Sequence, residues 1–261
     1  MWVPRTGRCS GSALQDLQAA LEAAKFDPII GRHLDLGRVG VAGFSAGGYT
    51  ALISVGAKVD LSRFLDFCHQ HPTDGICAPQ KEFALDMGEA ERTLASATLA
   101  PEAAHAGDDH RIPGVRAAFA IAPGIVQALP PDGLAKIRIP VAIILGDADR
   151  VAPPNTNGLV AAHYIPGAEL KVLAGVGHYD FLSTCTPAGV AAVPVCAIKM
   201  PQEATHQAAI TMAVAFFDRV LGAPRGSVRC PTVRLGASAL WDPLQPASTC
   251  VVCKCGDSHW Q

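Results

Sequence analysis

The sequence predicts an α/β fold in which a mostly parallel β-sheet is covered by helices on both faces. Near-continuous apolar runs at 116–123, 139–147 and 168–175 indicate buried strands, and the segments between them have helical patterns. Buried strands that alternate with helices form parallel sheets. The composition agrees, because 49% hydrophobic and 17% charged residues favour a packed core over a disordered chain.

Helices are predicted at both ends of this sheet. Ser12 and Gln15 form a capping-box pattern at the start of the first helix, and the pair Asp27-Pro28 ends it. The last helix is predicted from His206 to Leu221. A spacing of three and four residues places its apolar face on Ile210, Val214, Phe217 and Leu221.

The chain is predicted to divide into a main domain at 1–222 and an irregular tail at 223–261. Within the main domain, 58–112 lacks a strand pattern and holds most of the charge pairs, which indicates a cap-like insertion of short helices. The tail carries a CxxCxC run at 250–255 followed by His259, a pattern that can bind zinc. Because there is only one such cluster, we favour an irregular tail and predict no metal site.

A serine between two glycines lies where a predicted strand becomes a helix. The strand VGVAGF leads into Gly43-Phe44-Ser45-Ala46-Gly47, and TALISVGA continues as a helix. A sharp strand-to-helix turn exposes such a serine as a nucleophile and requires small residues two positions before and after it. Gly43 and Gly47 meet that requirement. The alternative interpretation is a glycine-rich turn with an incidental serine.

A serine hydroxyl needs a base to remove its proton, and two later loops offer an acid and a histidine. The strand VAIILG ends in GDAD (146–149), and the strand LKVLAG is followed by VGH (176–178). The carboxyl ends of parallel strands lie at one edge of a sheet, so we predict a triad of Ser45, Asp149 and His178. Asp147 is the alternative acid, but it follows its strand directly and is expected to cap the turn. A structural role is the alternative for His178.

Three segments carry a family resemblance: GRVGVAGFSAGGYTAL, IPVAIILGDADRVAP and GAELKVLAGVGHYDFL. Together they resemble the bacterial predicted dienelactone hydrolases, which belong to the α/β-hydrolase superfamily and are related to platelet-activating-factor acetylhydrolase. The resemblance extends roughly from Ser12 to Leu221. It implies that Ser45 is the nucleophile, that Asp149 and His178 are its acid and base, and that the Ala46 N–H is an oxyanion donor. It does not imply a lactone substrate, since true dienelactone hydrolases use a cysteine nucleophile.

The same resemblance implies further strands before the serine, whereas only 44 residues precede Ser45 here. The HG-type motif that would carry the second oxyanion donor has no counterpart in them. We therefore expect an α/β-hydrolase fold that is N-terminally incomplete. We also expect the strand at 39–44 to leave a sheet edge open, and such an edge favours self-association.

These residues predict a serine hydrolase that cleaves carboxylic esters through a Ser-His-Asp triad and an acyl-enzyme, without a cofactor. The alternative is a catalytically impaired hydrolase-derived fragment or a non-catalytic binding domain. The expected partner is a small-molecule ester. A net charge of -2 gives no reason to expect nucleic acid, and no apolar stretch reaches the roughly 18 residues that span a bilayer.

The nine cysteines include two closely spaced pairs. Cys68 and Cys77 flank one short loop, and Cys185 and Cys196 flank another, a spacing that suits local disulfides. Disulfides persist in oxidising compartments, so we predict a periplasmic or secreted protein even though the sequence shows no signal peptide pattern. The alternative is a cytoplasmic protein in which these cysteines are reduced and buried.

Overall fold

The fold is built on a four-stranded parallel sheet. A computed structural model describes residues 13–79, 87–192 and 202–222. Within these residues the strand order is β1-β2-β3-β4, and each neighbouring pair is parallel. The strands are β1 (Val39–Phe44), β2 (Val115–Ile121), β3 (Val141–Gly146) and β4 (Glu169–Leu173). Their carboxyl ends therefore lie at the same edge of the sheet, and the predicted parallel α/β fold is confirmed.

Helices connect and cover the strands. α1 (Ala13–Phe26) precedes β1, and α2 (Ala46–Ser54) follows it. The described part of 58–112 contains three short helices, α3 (Leu61–Gln70), α4 (Met87–Leu94) and α5 (Ala100–Ala104). α6 (Pro131–Leu134) precedes β3, and α7 (Gly158–Tyr164) precedes β4. After β4 come α8 (Pro187–Ala192) and α9 (Gln202–Leu221).

Two apolar layers cover the two faces of the central strands. On one face, Ala120 of β2 and Ile143 of β3 pack in a core with residues of α1, α2 and α7. On the other face, Phe119 and Ile144 pack with Phe216 of α9. Successive side chains of a strand point to opposite faces, so β2 from Ala117 onwards and the whole of β3 are apolar and fill both layers. The helices predicted on both faces are present.

The two outer strands are less buried than their sequences predict. Gly40 and Ala42 of β1 are exposed, and Leu170 and Val172 of β4 are 42% and 46% exposed. Each of these strands is an outer strand of the described sheet and so has a neighbouring strand on one side only. The prediction of a buried strand at 168–175 is therefore wrong, and β1 is only partly buried.

Only half of the apolar face predicted for α9 packs on the sheet, namely Phe217 and Leu221. Ile210 and Val214, expected in the apolar face, are 57% and 55% exposed. Phe216 is its large buried residue, and three alanines of the helix pack beside it in the same layer: Ala208, Ala209 and Ala213. Met212 and Val220 pack in this layer as well, so the inward side of α9 is rotated towards these residues and away from Ile210 and Val214. The helix also begins at Gln202, before the predicted His206.

The predicted disulfide between Cys68 and Cys77 is present and joins the end of α3 to the loop that follows it. Cys185 is also disulfide-bonded, whereas its expected partner Cys196 lies outside the described residues. The Ser12 cap and the tail at 223–261 lie outside them as well. That the protein is periplasmic or secreted stays a prediction. Among the described residues, no helix combines the length and apolarity needed to cross a membrane.

Two substitutions in α9 test which of its sides is buried. Phe216→Ala should lower the free energy of unfolding by about 3–5 kcal/mol, because Phe216 is 1% exposed and fills the layer against Phe119. Ile210→Ala is the matched control and should change it by less than about 0.5 kcal/mol. Urea unfolding followed by circular dichroism measures both. A larger loss for Ile210→Ala than for Phe216→Ala would show that Ile210, and not Phe216, is packed against the sheet.

Candidate active site

The turn between β1 and α2 holds Ser45 in a strained backbone conformation. Its φ of 55° and ψ of -117° lie in a region that residues with a side chain rarely adopt. The Ser45 N–H donates to the Ile121 carbonyl oxygen at 2.9 Å, and the Ser45 carbonyl oxygen accepts from the Gly124 N–H at 3.2 Å. These hydrogen bonds fix the turn to the end of β2 and offset part of the strain.

Gly43 allows α2 to run back against β1. A Cβ atom on Gly43 would lie 2.1 Å from the carbonyl oxygen of Gly47, a distance that no real Cβ tolerates. A Cβ on Gly48 would lie 3.0 Å from the Pro123 Cα. A Cβ on Gly47 would meet no described atom within 4 Å outside its chain neighbours and its own helix. The predicted requirement for a small side chain at position 47 is thus wrong, since Gly47 contacts Gly43 through its carbonyl group. The second crowded glycine is Gly48.

The three predicted triad residues lie together at the carboxyl edge of the sheet. His178 Nε2 is 2.9 Å from Ser45 Oγ, and His178 Nδ1 is 2.7 Å from Asp149 Oδ2. An ionised carboxylate can only accept hydrogen bonds, so Nδ1 carries a hydrogen and donates a hydrogen bond to Asp149. The Nε2 lone pair is then free to accept the hydrogen bond of the Ser45 hydroxyl. The arrangement is a continuous relay from the serine to the carboxylate.

Asp149 is held in place by the turn that it closes. Its Oδ1 accepts hydrogen bonds from the N–H groups of Val151 and Ala152 at 2.9 and 2.8 Å, which leaves Oδ2 for His178. The side chains of His178 and Asp149 are 3% and 1% exposed. A buried carboxylate is costly unless it is paired and hydrogen-bonded, and Asp149 meets both conditions.

Asp147, the alternative acid, has a different place in the structure. Its Oδ1 accepts a hydrogen bond from the Gly175 N–H at 2.6 Å, and its own N–H donates to the Leu173 carbonyl oxygen. It therefore links the end of β3 to the loop after β4, as expected of a residue that caps the turn. Gly146 allows these two loops to meet, because a Cβ there would lie 2.0 Å from the Val176 carbonyl oxygen.

Two residues that the sequence did not single out position His178. Asp180 is 6% exposed, and its Oδ2 accepts a hydrogen bond from the Gly177 N–H at 2.7 Å. This bond closes the 3-10 turn His178–Phe181 that carries the histidine. The Phe44 ring packs on the imidazole with 4.7 Å between ring centroids. The motif Gly-His-x-Asp is the signal that would have identified Asp180, because the aspartate three residues after the glycine can cap its N–H.

Ala46, the predicted oxyanion donor, is the first residue of α2. The first N–H groups of a helix have no acceptor within the helix, and they carry the positive end of its dipole. The Ala46 N–H therefore lies beside Ser45 with its capacity to bind an anion unused by the helix. In the part of the chain that the structure describes, no group of three or more His, Cys, Asp or Glu side chains could hold a metal ion.

Substitution by alanine should have different effects on stability at Gly43 and at Gly47. Gly43→Ala should lower the free energy of unfolding by about 3 kcal/mol, because the new methyl group collides with backbone atoms that cannot rotate away. Gly47→Ala should leave it unchanged or raise it by up to about 1 kcal/mol, since alanine favours a helix over glycine. Urea unfolding of both variants measures the difference. Equal losses would contradict the conclusion that position 43 is crowded and position 47 is not.

Comparison with known proteins yields structural likenesses at low identity. No protein-family model matches the chain. It is similar to a puromycin-hydrolysing peptidase of Mycobacterium tuberculosis, with 14% identity and a TM-score of 0.41, over 82% of this chain and 26% of the peptidase. It is similar to an α/β-hydrolase enzyme from a sediment metagenome of the Mar Chica lagoon in Morocco, with 14% identity and a TM-score of 0.37, over 79% of this chain and 70% of the enzyme. A bromoperoxidase from Bacillus anthracis has 17% identity and a TM-score of 0.33, over 79% and 72%.

Proposed function

We propose that this chain is a serine hydrolase of the α/β-hydrolase superfamily that cleaves carboxylic esters through Ser45, His178 and Asp149. The observation that carries the proposal is the hydrogen-bond relay from Ser45 Oγ through both nitrogens of His178 to Asp149. The strained elbow supports it further, because strain that the surrounding structure must offset is typical of functional sites. The resemblance to predicted dienelactone hydrolases favours the same reaction.

In the first half of the reaction, His178 Nε2 removes the proton from Ser45 as Oγ attacks the ester carbonyl carbon. The imidazolium that forms is stabilised by the buried carboxylate of Asp149 at 2.7 Å. His178 then gives the proton to the departing alcohol, and the acyl group remains on Ser45. In the second half, the same histidine activates a water molecule that releases the acid and restores the serine.

The carbonyl oxygen becomes negatively charged during each attack and needs hydrogen-bond donors. The Ala46 N–H at the start of α2 is the donor that this chain supplies next to Ser45. Removal of one oxyanion donor typically lowers kcat by a factor of about 10² to 10³. The number of oxyanion donors therefore has a direct effect on the kcat of this chain.

A non-catalytic binding domain is the second candidate function. It is favoured by β1, which is the outer strand of the described sheet and is exposed at Gly40 and Ala42. An open strand edge can pair with another polypeptide. The two functions differ in one property, which is whether the Ser45 hydroxyl reacts.

A fluorophosphonate probe tests the nucleophile. The probe should label the wild-type protein at Ser45, because only a serine with a base in hydrogen-bond reach is activated. Labelling should be absent in Ser45→Ala and strongly reduced in His178→Ala. The matched controls are Ser62→Ala and His163→Ala, which alter exposed side chains and should label as the wild type does. Folded wild-type protein that remains unlabelled would favour the binding domain.

Substitution by asparagine distinguishes the roles of Asp149 and Asp147. Asp149→Asn should lower kcat for p-nitrophenyl acetate by about 10⁴-fold, because the amide reverses the donor and acceptor roles that orient His178. Asp147→Asn should cost at most about tenfold, since the amide oxygen still accepts from the Gly175 N–H. Steady-state kinetics with circular dichroism as a folding check measures both. If Asp147→Asn were the more damaging change, Asp149 would not be the acid.

A further inference from the structure

The loop closed by the Cys68–Cys77 disulfide lies against the loop that carries Asp149. We call residues 68–77 the disulfide loop. Gly75 is its point of closest approach, since a Cβ there would lie 1.7 Å from the Arg150 carbonyl oxygen. The two backbones are in direct contact at this point, and only glycine leaves room for it. The disulfide loop is therefore packed onto the turn that follows Asp149.

Asp74 strengthens this contact with both of its carboxylate oxygens. Oδ2 accepts a hydrogen bond from the Thr156 hydroxyl at 2.9 Å, across 82 positions of the sequence. Oδ1 accepts from the Ile76 N–H at 3.0 Å and so fixes the backbone of the next residues. Its carbonyl oxygen accepts from the N–H of Cys77 at 2.9 Å. One residue thus links the loop after β3 to the backbone that carries Ile76.

Ile76 extends from this fixed backbone towards the nucleophile. The space beside Gly124 shows how close the two groups lie, because a Cβ atom placed on Gly124 would have three close neighbours. They are Ile76 Cδ1 at 3.1 Å, Ala152 Cβ at 3.8 Å and Ser45 Oγ at 3.9 Å. The end of the Ile76 side chain and the reactive hydroxyl therefore border the same small space. Ala152 closes it from the turn that Asp149 organises.

We propose that Ile76 is a specificity-determining residue that limits the size of the ester group lying beside Gly124, and that the disulfide loop holds it there. The proposal rests on the esterase function proposed above. It predicts a preference for esters whose group on that side is small, such as acetyl over hexanoyl or phenyl over naphthyl. The size limit is set by an isoleucine of the 58–112 segment and not by a residue of the sheet.

The test is a pair of substitutions that change this space in opposite directions. Two series of esters are used, p-nitrophenyl acyl esters up to hexanoate and the phenyl and naphthyl acetates. In each series, the measured quantity is the ratio of kcat/KM for a larger ester to kcat/KM for p-nitrophenyl acetate. Ile76→Ala should raise this ratio about tenfold or more in at least one of the two series. Gly124→Ala should lower the ratio in the same series, because its methyl group occupies the space. The double variant should lie between them.

Two further variants separate the loop from the side chain. Replacing both cysteines, Cys68→Ser with Cys77→Ser, should raise the ratio in the same series as Ile76→Ala, because the loop is released while Ile76 remains. Ile210→Ala removes the same atoms from an exposed position of α9 and should leave the ratio unchanged. Each rate is divided by the concentration of active sites, measured by titration with a fluorophosphonate.

The outcomes distinguish the two proposals. A wild-type protein that is neither labelled nor active on p-nitrophenyl acetate removes the esterase function and the role of Ile76 with it. A wild-type protein that is labelled and active, with Ile76→Ala and Gly124→Ala both leaving the ratio within about twofold in both series, overturns the role of Ile76 alone. Opposite shifts for the two variants support it.

Discussion

The close approach of Gly43 to the carbonyl group of Gly47 is the constraint on which the rest of the structure depends. It lets a strand become a helix within two residues and leaves Ser45 at the apex with a positive φ. α2 then runs back over β1 and β2 and enters the core on one face of the sheet. Any side chain at position 43 would push α2 away from the sheet. The elbow, the core layer and the position of the hydroxyl are therefore set by one backbone contact.

The order Ser, Asp, His could be predicted from the sequence because each residue follows a recognisable apolar strand. The elbow glycine Gly43 is equally local, since its role depends on a residue four positions away. The inward side of α9 could be predicted only in part, because apolar residues lie on more than one side of this helix: Phe217 and Leu221 pack inward, whereas Ile210 and Val214 are exposed. The exposure of Leu170 and Val172 in β4, two apolar residues that alternate with Glu169 and Lys171, could not be predicted.

Contacts between segments far apart in sequence account for the rest. Asp74 and Thr156 are 82 positions apart, and neither belongs to a motif. Gly75 and Gly146 each meet a carbonyl oxygen of another loop, and nothing in the neighbouring sequence marks them. The spacing of Cys68 and Cys77 predicts the disulfide, but the turn against which the closed loop packs is a property of the folded chain. Asp180 could be predicted in part. Its hydrogen bond to Gly177 is local in sequence, but its importance comes from the position of His178 between them.

The distribution of the triad over the sheet has a consequence for how the protein folds. Ser45 and His178 are 133 residues apart, and the strands that deliver them, β1 and β4, are the outer strands of the described sheet. Parallel pairing over such separations has a high contact order and a large loop-closure entropy, so it forms slowly. The relay can exist only after β2 and β3 have joined the two outer strands. Reactivity at Ser45 would then be acquired in the last stage of folding, and a partly assembled chain would carry all three residues without their chemistry.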